Sequence, residues 1–205
     1  MWAQAQGDLT DGKTIGGNQD ARFRLTLLAG FNASQIDGDC SGGFNKLGFN
    51  AGGQVNILLD RTDWVGRFQP SIGFGFTQLG SRTVSNDFVS GTSNAECVII
   101  DPQRYELAYA QIPVMLHYID QRWVFSTGLA YGRLVNFKYS EAGADFTDAK
   151  EGAYRTNDVN FIAGTTYYVT RNIGINIHWE HSLYSINSTI RQVHRLVTFR
   201  AAYAF

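Results

Sequence analysis

Apolar residues alternate with small polar ones through eight segments of this 205-residue chain, and this period of two constrains the fold more than any other feature. Successive side chains of a strand point to opposite faces, so each segment predicts a β-strand with one apolar and one polar face. No segment shows the 3.6-residue period of an amphipathic helix. The predicted strands cover about residues 21–31, 47–59, 64–79, 104–119, 122–139, 158–170, 172–183 and 194–205.

The connections between these strands are alternately short and long. Three are tight turns, at residues 60–63, 120–121 and 170–171, and four are long, at residues 32–46, 80–103, 140–157 and 184–193. In an up-and-down barrel this alternation places every tight turn at one end and every long loop at the other, as in outer-membrane barrels. An even number of strands brings both termini to the tight-turn end.

The composition of the two strand faces decides between lipid and water as the surrounding medium. The polar face is mostly Gly, Ser, Thr and Asn, which suits the narrow interior of an eight-stranded barrel. A soluble ligand-binding barrel would instead turn its apolar face inward. Aromatic residues near the tight-turn end predict a girdle at one membrane interface: Trp64, Tyr118, Trp123, Tyr167, Tyr203 and Phe205. The predicted fold class is therefore all-β, an eight-stranded antiparallel up-and-down transmembrane β-barrel.

Composition excludes several other classes of protein. Aromatic residues make up 14% of the chain, which excludes disorder over most of its length. The longest stretch without Asp, Glu, Lys or Arg covers residues 68–81, shorter than the roughly 20 residues of a membrane-spanning helix. A net charge of −1 and the lack of a basic helix predict no nucleic-acid partner.

The predicted domain organisation is a single barrel preceded by a short leader. Residues 1–20 are mostly Gly, Asp, Asn, Thr and Lys in their second half and predict a disordered N-terminal segment. Ala3-Gln4-Ala5 matches the small-x-small end of a signal peptide, and a plain polar leader is the alternative. Residues 21–205 form the predicted barrel domain, which ends on the aromatic residue Phe205.

Two segments carry a family resemblance. GFNASQI at residues 30–36, followed by KLGFNAG at residues 46–52, resembles the opening hairpin of PorT-family outer-membrane β-barrel proteins. YAQIPVMLHY at residues 109–118 resembles that family's Y-x-E-I-P-L-L-L-K-Y segment, with Gln111 in place of the usual Glu and His117 in place of the usual Lys. The resemblance covers residues 21–205 and implies a small outer-membrane barrel of a Gram-negative bacterium. It does not carry over a secretion role.

Charged residues on the polar face predict a network inside the barrel. His178, Glu180 and Ser182 share one strand face, but Cα atoms two residues apart on a strand lie roughly 7 Å apart, too far for a catalytic triad. Because buried charges need partners, we expect Glu180 to neutralise an interior arginine. The predicted lumen network comprises Arg22, Arg24, Arg67, His178, Glu180 and Arg200.

The remaining site predictions concern cysteines, metals and cofactors. Cys40 and Cys97 fall in the first two long loops, at the same end of the barrel, and an oxidising envelope favours a disulfide between them. The alternative is two unpaired thiols. The four histidines show no metal-ligand spacing and the glycine-rich stretches lack a phosphate-binding context, so we predict no catalytic residue, no metal and no cofactor.

The leading functional hypothesis is a monomeric outer-membrane barrel with a structural or interaction role. Its long extracellular loops would contact other envelope proteins, and it would act as an accessory subunit of a larger outer-membrane complex. Its strands would contact outer-membrane lipid, and its termini would be periplasmic. The alternatives are an outer-membrane lipid hydrolase or acyltransferase, which is the enzyme class built on this architecture, and a soluble lipocalin-like carrier. A pore is a weaker option because eight strands leave no wide channel.

Overall fold

The computed structural model describes residues 23–37, 43–44, 46–58, 67–82, 103–141, 147–148, 155–186 and 192–205. They form strands in chain order: β1 (Phe23–Asp37), β2 (Lys46–Ile57), β3 (Phe68–Arg82), β4 (Gln103–Asp120), β5 (Trp123–Glu141), β6 (Thr147–Asp148), β7 (Asn157–Tyr168), β8 (Ile173–Ser182) and β9 (Val193–Ala204). In this part of the chain no helix is long and apolar enough to cross a membrane.

Eight of these strands close into a single antiparallel barrel. The order around it is β4-β3-β2-β1-β9-β8-β7-β5, and pairing of β4 with β5 closes the sheet. The two-residue strand β6 pairs only with the outer part of β5, at Lys138 and Tyr139. The predicted fold class is confirmed.

The strands are strongly tilted, as the pairing register shows. The in-register partners of Trp123 run through Tyr167, Ile175, Ala201, Ala29, Ala51, Phe76 and Ala110, and return to β5 at Arg133. One circuit of the barrel therefore climbs ten residues along a strand. For eight strands this stagger corresponds to a tilt of about 40° from the barrel axis.

Period-two alternation sets the two faces of the barrel. Inward positions of β1 are buried, including Arg24, Thr26 and Leu28, whereas their neighbours Phe23, Leu25 and Leu27 are exposed. Large apolar side chains are exposed on seven of the eight barrel strands, and β7 adds the partly exposed Phe161 and Tyr167. A soluble carrier would show the opposite orientation, so the lipocalin-like alternative is not supported.

Aromatic residues gather on the exterior at the tight-turn end. The rings of Trp123 and Tyr167 lie 4.8 Å apart, those of Tyr203 and Phe205 4.8 Å apart, and those of Phe68 and Tyr118 5.2 Å apart. Trp64, the sixth residue of the predicted girdle, lies outside the described residues.

Several strands extend further toward the long loops than the sequence predicts. β1 continues to Asp37 instead of ending at Phe31, and β5 continues to Glu141. Period-two alternation from the outward Tyr131 would place Phe137 on the exterior as well, but the structure does not. The register of β4 and β5 shifts between Ala108 and Tyr109, which leaves Val135 as an extra residue and turns Phe137 toward an apolar cluster inside the barrel.

Candidate functional site in the barrel interior

The middle of the interior is organised around the carboxylate of Glu180 on β8, which is 1% exposed. Gln111 Nε2 donates a hydrogen bond of 2.5 Å to Glu180 Oε1, and His178 Nε2 lies 3.7 Å from Oε2. Gln111 is one of the two positions at which the PorT-type motif has a charged residue and this chain does not. A glutamate there would place two carboxylates in contact, so the glutamine suits the presence of Glu180.

Arg200 on β9 carries a positive charge into the same part of the barrel. Its Nε donates to Asn176 Oδ1 at 2.9 Å, its Nη1 donates to Asn50 Oδ1 at 3.2 Å, and its charge attracts Glu180. The amide oxygens and the carboxylate together offset the cost of burying the guanidinium.

Arg24 lies nearer the tight-turn end. Its Nη2 donates to the Tyr168 hydroxyl at 3.2 Å, and its guanidinium lies 5.5 Å from the centre of the Tyr168 ring. His117, the other position at which the PorT-type motif is charged, accepts or donates hydrogen bonds with Ser71 Oγ at 2.7 Å and Ser126 Oγ at 2.6 Å. Two small polar residues thus hold the imidazole that stands where that motif has lysine.

The structure places the other predicted network residues differently. Arg67 is exposed just before β3, and its Nη1 donates to the Tyr118 hydroxyl at 3.2 Å on the exterior. Arg67 is therefore not part of the interior network, because the inward alternation of β3 begins only after it. Arg22 lies outside the described residues, as do Cys40 and Cys97.

Ser182 has partners that the sequence analysis did not identify. Its Oγ donates to Asp158 Oδ1 at 2.7 Å and contacts the carbonyl oxygen of Tyr184 at 2.6 Å. Asp158 Oδ2 lies 3.4 Å from Nδ1 of His194, which is fully buried. A carboxylate from β7 thus joins a serine from β8 to a histidine from β9, a grouping that only the register between strands brings together.

An apolar cluster closes the interior at the loop end. Buried side chains from β1, β3, β4, β9 and the segment after β8 meet there, namely Ile36, Leu79, Leu107, Tyr109, Ile186 and Leu196. Backbone bonds from Arg155 N to Ile186 O and from Ile186 N to Gln192 O, both close to 2.8 Å, hold Ile186 in the mouth of the barrel. Below this cluster the described interior includes cavities of about 40 and 50 Å³.

The described residues contain no group of three or more His, Cys, Asp or Glu side chains that could hold a metal ion. Many polar side chains of the interior hydrogen-bond to one another, as Asn50, Thr77 and Gln111 do. The arrangement is that of a packed polar core.

Comparison with known proteins agrees with this geometry. The family model described as "Outer membrane protein beta-barrel domain" matches residues 2–188. The chain belongs to this family. Its localisation is accordingly the outer membrane, and the apolar exterior of the barrel faces lipid.

One solved outer-membrane barrel shares the fold of this chain, and a second falls just below that level of similarity. The first is Ail, the attachment invasion locus protein of Yersinia pestis, in complex with the heparin analogue sucrose octasulfate. It is 11% identical to this chain, and the match covers 90% of this chain and 100% of that chain, with a TM-score of 0.50. Neisserial surface protein A is 8% identical; the match covers 90% of this chain and 98% of that chain, with a TM-score of 0.49. No curated protein matches the chain. At these identities the likeness concerns the fold alone.

Proposed function

We propose that this outer-membrane β-barrel is a monomeric, non-enzymatic interaction protein, with its working surface in the long loops and both termini in the periplasm. The observation that carries the proposal is the filled interior. Polar side chains occupy the middle of the barrel and the apolar cluster around Leu107 and Ile186 closes the loop end. A barrel that neither conducts nor encloses a ligand offers its loops for function.

The size of the cavities argues against a pore. A water molecule needs at least about 10–15 Å³ of cavity volume, so cavities of about 40 and 50 Å³ hold a few waters each. Eight strands enclose only enough room for packed side chains. A solute path would require the interior network to come apart.

The surroundings of Ser182 argue against a lipid hydrolase or acyltransferase built on the predicted face. Ser182 is buried inside the barrel, and its hydroxyl contacts a carboxylate and a carbonyl oxygen. A nucleophile that acts on lipid must instead reach the lipid-facing exterior and be activated by a base.

We propose further that the loops contact another envelope protein, so that the barrel is an accessory subunit of a larger complex, because the second long loop carries the apolar residues Phe88, Val89, Val98 and Ile99. Pull-down of the tagged full chain from native outer membrane in mild detergent tests this. We expect a stoichiometric envelope protein that is lost when a Gly-Ser linker replaces residues 83–102. The matched control is a Gly-Ser replacement of the tight turn at residues 121–122. Absence of a partner, or its retention by both variants, would contradict the accessory role.

The orientation of the barrel has its own test. Protease added to intact cells should cut only within residues 32–46, 80–103, 140–157 or 184–193, because tight turns offer no accessible site. A tag after Phe205 should bind antibody only after permeabilisation. Cleavage at residues 120–121 on intact cells, or a tag accessible on intact cells, would show that the barrel is inserted the other way.

A further inference from the structure

The height of Arg133 above the aromatic girdle marks where the lipid-facing band ends. Arg133 lies ten residues beyond Trp123 on β5. At about 3.3 Å per residue and a tilt of about 40°, ten residues rise about 25 Å along the barrel axis. The apolar band of an outer-membrane barrel is about 25 Å tall, so Arg133 lies at the membrane interface on the loop side.

Two neighbouring strands change from apolar to polar at this height. On β5 the outward residues Phe125, Leu129 and Tyr131 precede Arg133. On β7 the outward residues Phe161 and Val159 lie on the membrane side of Asn157. The other outward positions between the girdle and this height are small: Thr127, Ala163 and Thr165. Arg133 and Asn157 are partners in the β5–β7 ladder. Both side chains are exposed, so they form one polar site directly above the band.

The hydrogen-bond donors of this polar site are available to an acceptor outside the protein. The Tyr131 hydroxyl donates to Asn157 Oδ1 at 2.8 Å, which occupies the amide oxygen and leaves the Asn157 amide N–H groups for another partner. The exposed Arg155 follows two residues away, and its position is held by backbone bonds from Leu134 N to Thr156 O and from Arg155 N to Ile186 O. Asn157 is the ladder partner of Arg133 and lies two residues from Arg155, which places both arginines at the same corner of the barrel.

The described carboxylates at the loop end are engaged elsewhere. Asp37 pairs with Arg195 at 2.9 Å, and Glu106 pairs with Lys46. Asp158 lies inside the barrel with Ser182 and His194. Among the residues that the structure describes, none of these three carboxylates is paired with Arg133 or Arg155, which leaves both guanidinium groups for a phosphate of the lipid headgroup region.

We propose that Tyr131, Arg133, Arg155 and Asn157 form a binding site for the phosphate group of an outer-leaflet lipid. Guanidinium groups bind phosphate through two parallel, charge-assisted hydrogen bonds, and a tyrosine at the interface packs its ring against the acyl region below. In this leaflet the phosphates are carried by a phosphorylated glycolipid. The choice of leaflet rests on the orientation in the proposed function, whereas the phosphate chemistry does not.

Native mass spectrometry of the full-length barrel in detergent, titrated with diphosphoryl lipid A, tests the site. The variant Arg133→Gln/Arg155→Gln should bind the lipid at least about tenfold more weakly, since two charge-assisted contacts contribute more than 1.4 kcal/mol. The matched control, Arg67→Gln/Arg171→Gln, removes two exposed arginines at the tight-turn end and should bind like the unchanged barrel. Arg133→Lys/Arg155→Lys should retain part of the affinity, and all variants should bind dephosphorylated lipid A equally weakly.

The outcomes separate this proposal from the functional one. Equal binding of the phosphorylated lipid by the glutamine variant and the unchanged barrel, or equal loss in the tight-turn control, would overturn the site. Binding that survives removal of the phosphates would overturn its chemistry. If the protease and tag test shows inverted insertion, binding measured in detergent would persist and only the outer-leaflet assignment would fall.

Discussion

The two ends of the barrel place their apolar side chains on opposite faces of the sheet. Toward the tight turns, aromatic and aliphatic side chains cover the exterior while Arg24, Asn56 and His117 are buried inside. Toward the loops, Leu107 and Leu196 are buried inside while Asp37 and Arg195 form an exposed ion pair outside. The same strands thus behave as a membrane barrel at one end and as a water-soluble barrel at the other.

This difference shows how one long strand can lie partly in lipid and partly in water. A membrane-spanning strand needs about 9–11 residues, yet β4 has 18 and β5 has 19. The additional residues lie beyond the lipid, where apolar side chains are stabilised by turning inward. The loop end therefore has a hydrophobic core of its own, which the lipid-embedded part does not require.

The largest effect should come from placing a charge in the lipid-facing band. Phe74 is 63% exposed on β3 near the middle of the band. Phe74→Arg should cost about 2–4 kcal/mol for the charge and about 2 kcal/mol for the lost apolar contact, or prevent insertion. The free energy of unfolding in urea from lipid vesicles measures this cost.

The matched control for Phe74 is Val135→Arg, at an apolar position that is 55% exposed but lies beyond Arg133. It should change the free energy of unfolding by less than about 1 kcal/mol. Equal costs at the two positions would mean that the band does not end near Arg133.

Removing the central carboxylate should have the next largest effect. Glu180→Gln removes the negative charge that attracts the buried Arg200 guanidinium and should destabilise the barrel by about 3 kcal/mol. The double variant Glu180→Gln/Arg200→Gln should cost less than the single one, as measured by unfolding in a double-mutant cycle. Additive costs would show that the two charges do not interact.

A cavity at the loop end should destabilise the barrel by about 3 kcal/mol. Leu107 is fully buried in the apolar cluster, so Leu107→Ala removes packed volume. Leu116 on the same strand faces lipid, which can fill the space, and Leu116→Ala should cost clearly less. If the two substitutions cost the same in equilibrium unfolding, the loop end does not have a packed core.

The smallest effect should come from the exposed ion pair. Asp37→Asn removes the partner of Arg195 at the water-exposed end and should cost less than about 1 kcal/mol. Unfolding at low and high salt checks this, because screening should remove most of the difference. A cost that persists unchanged in high salt would point to a buried contact instead.

The inside and outside of the lipid-embedded strands could be predicted because lipid imposes a strict period of two. The strand ends could not, because beyond Phe31 the outward residues of β1 become polar and resemble a loop. Period two predicts an inward Arg67 because the alternation of β3 continues back past Phe68, where the strand begins. Asp158 of β7 lies between Ser182 of β8 and His194 of β9, and a single sequence carries no signal for the register that brings them together.

The pairing of β1 with β9 has a consequence for how the protein assembles. The first and last described strands share twelve paired positions, from Thr26 with Ala204 to Asp37 with Val193. Until β9 is in place, β1 and β8 each present an open edge whose backbone groups lipid cannot satisfy. A chain without β9 therefore cannot close its barrel and has no stable state in the bilayer. The envelope must keep the whole polypeptide unfolded until β9 has been synthesised and delivered.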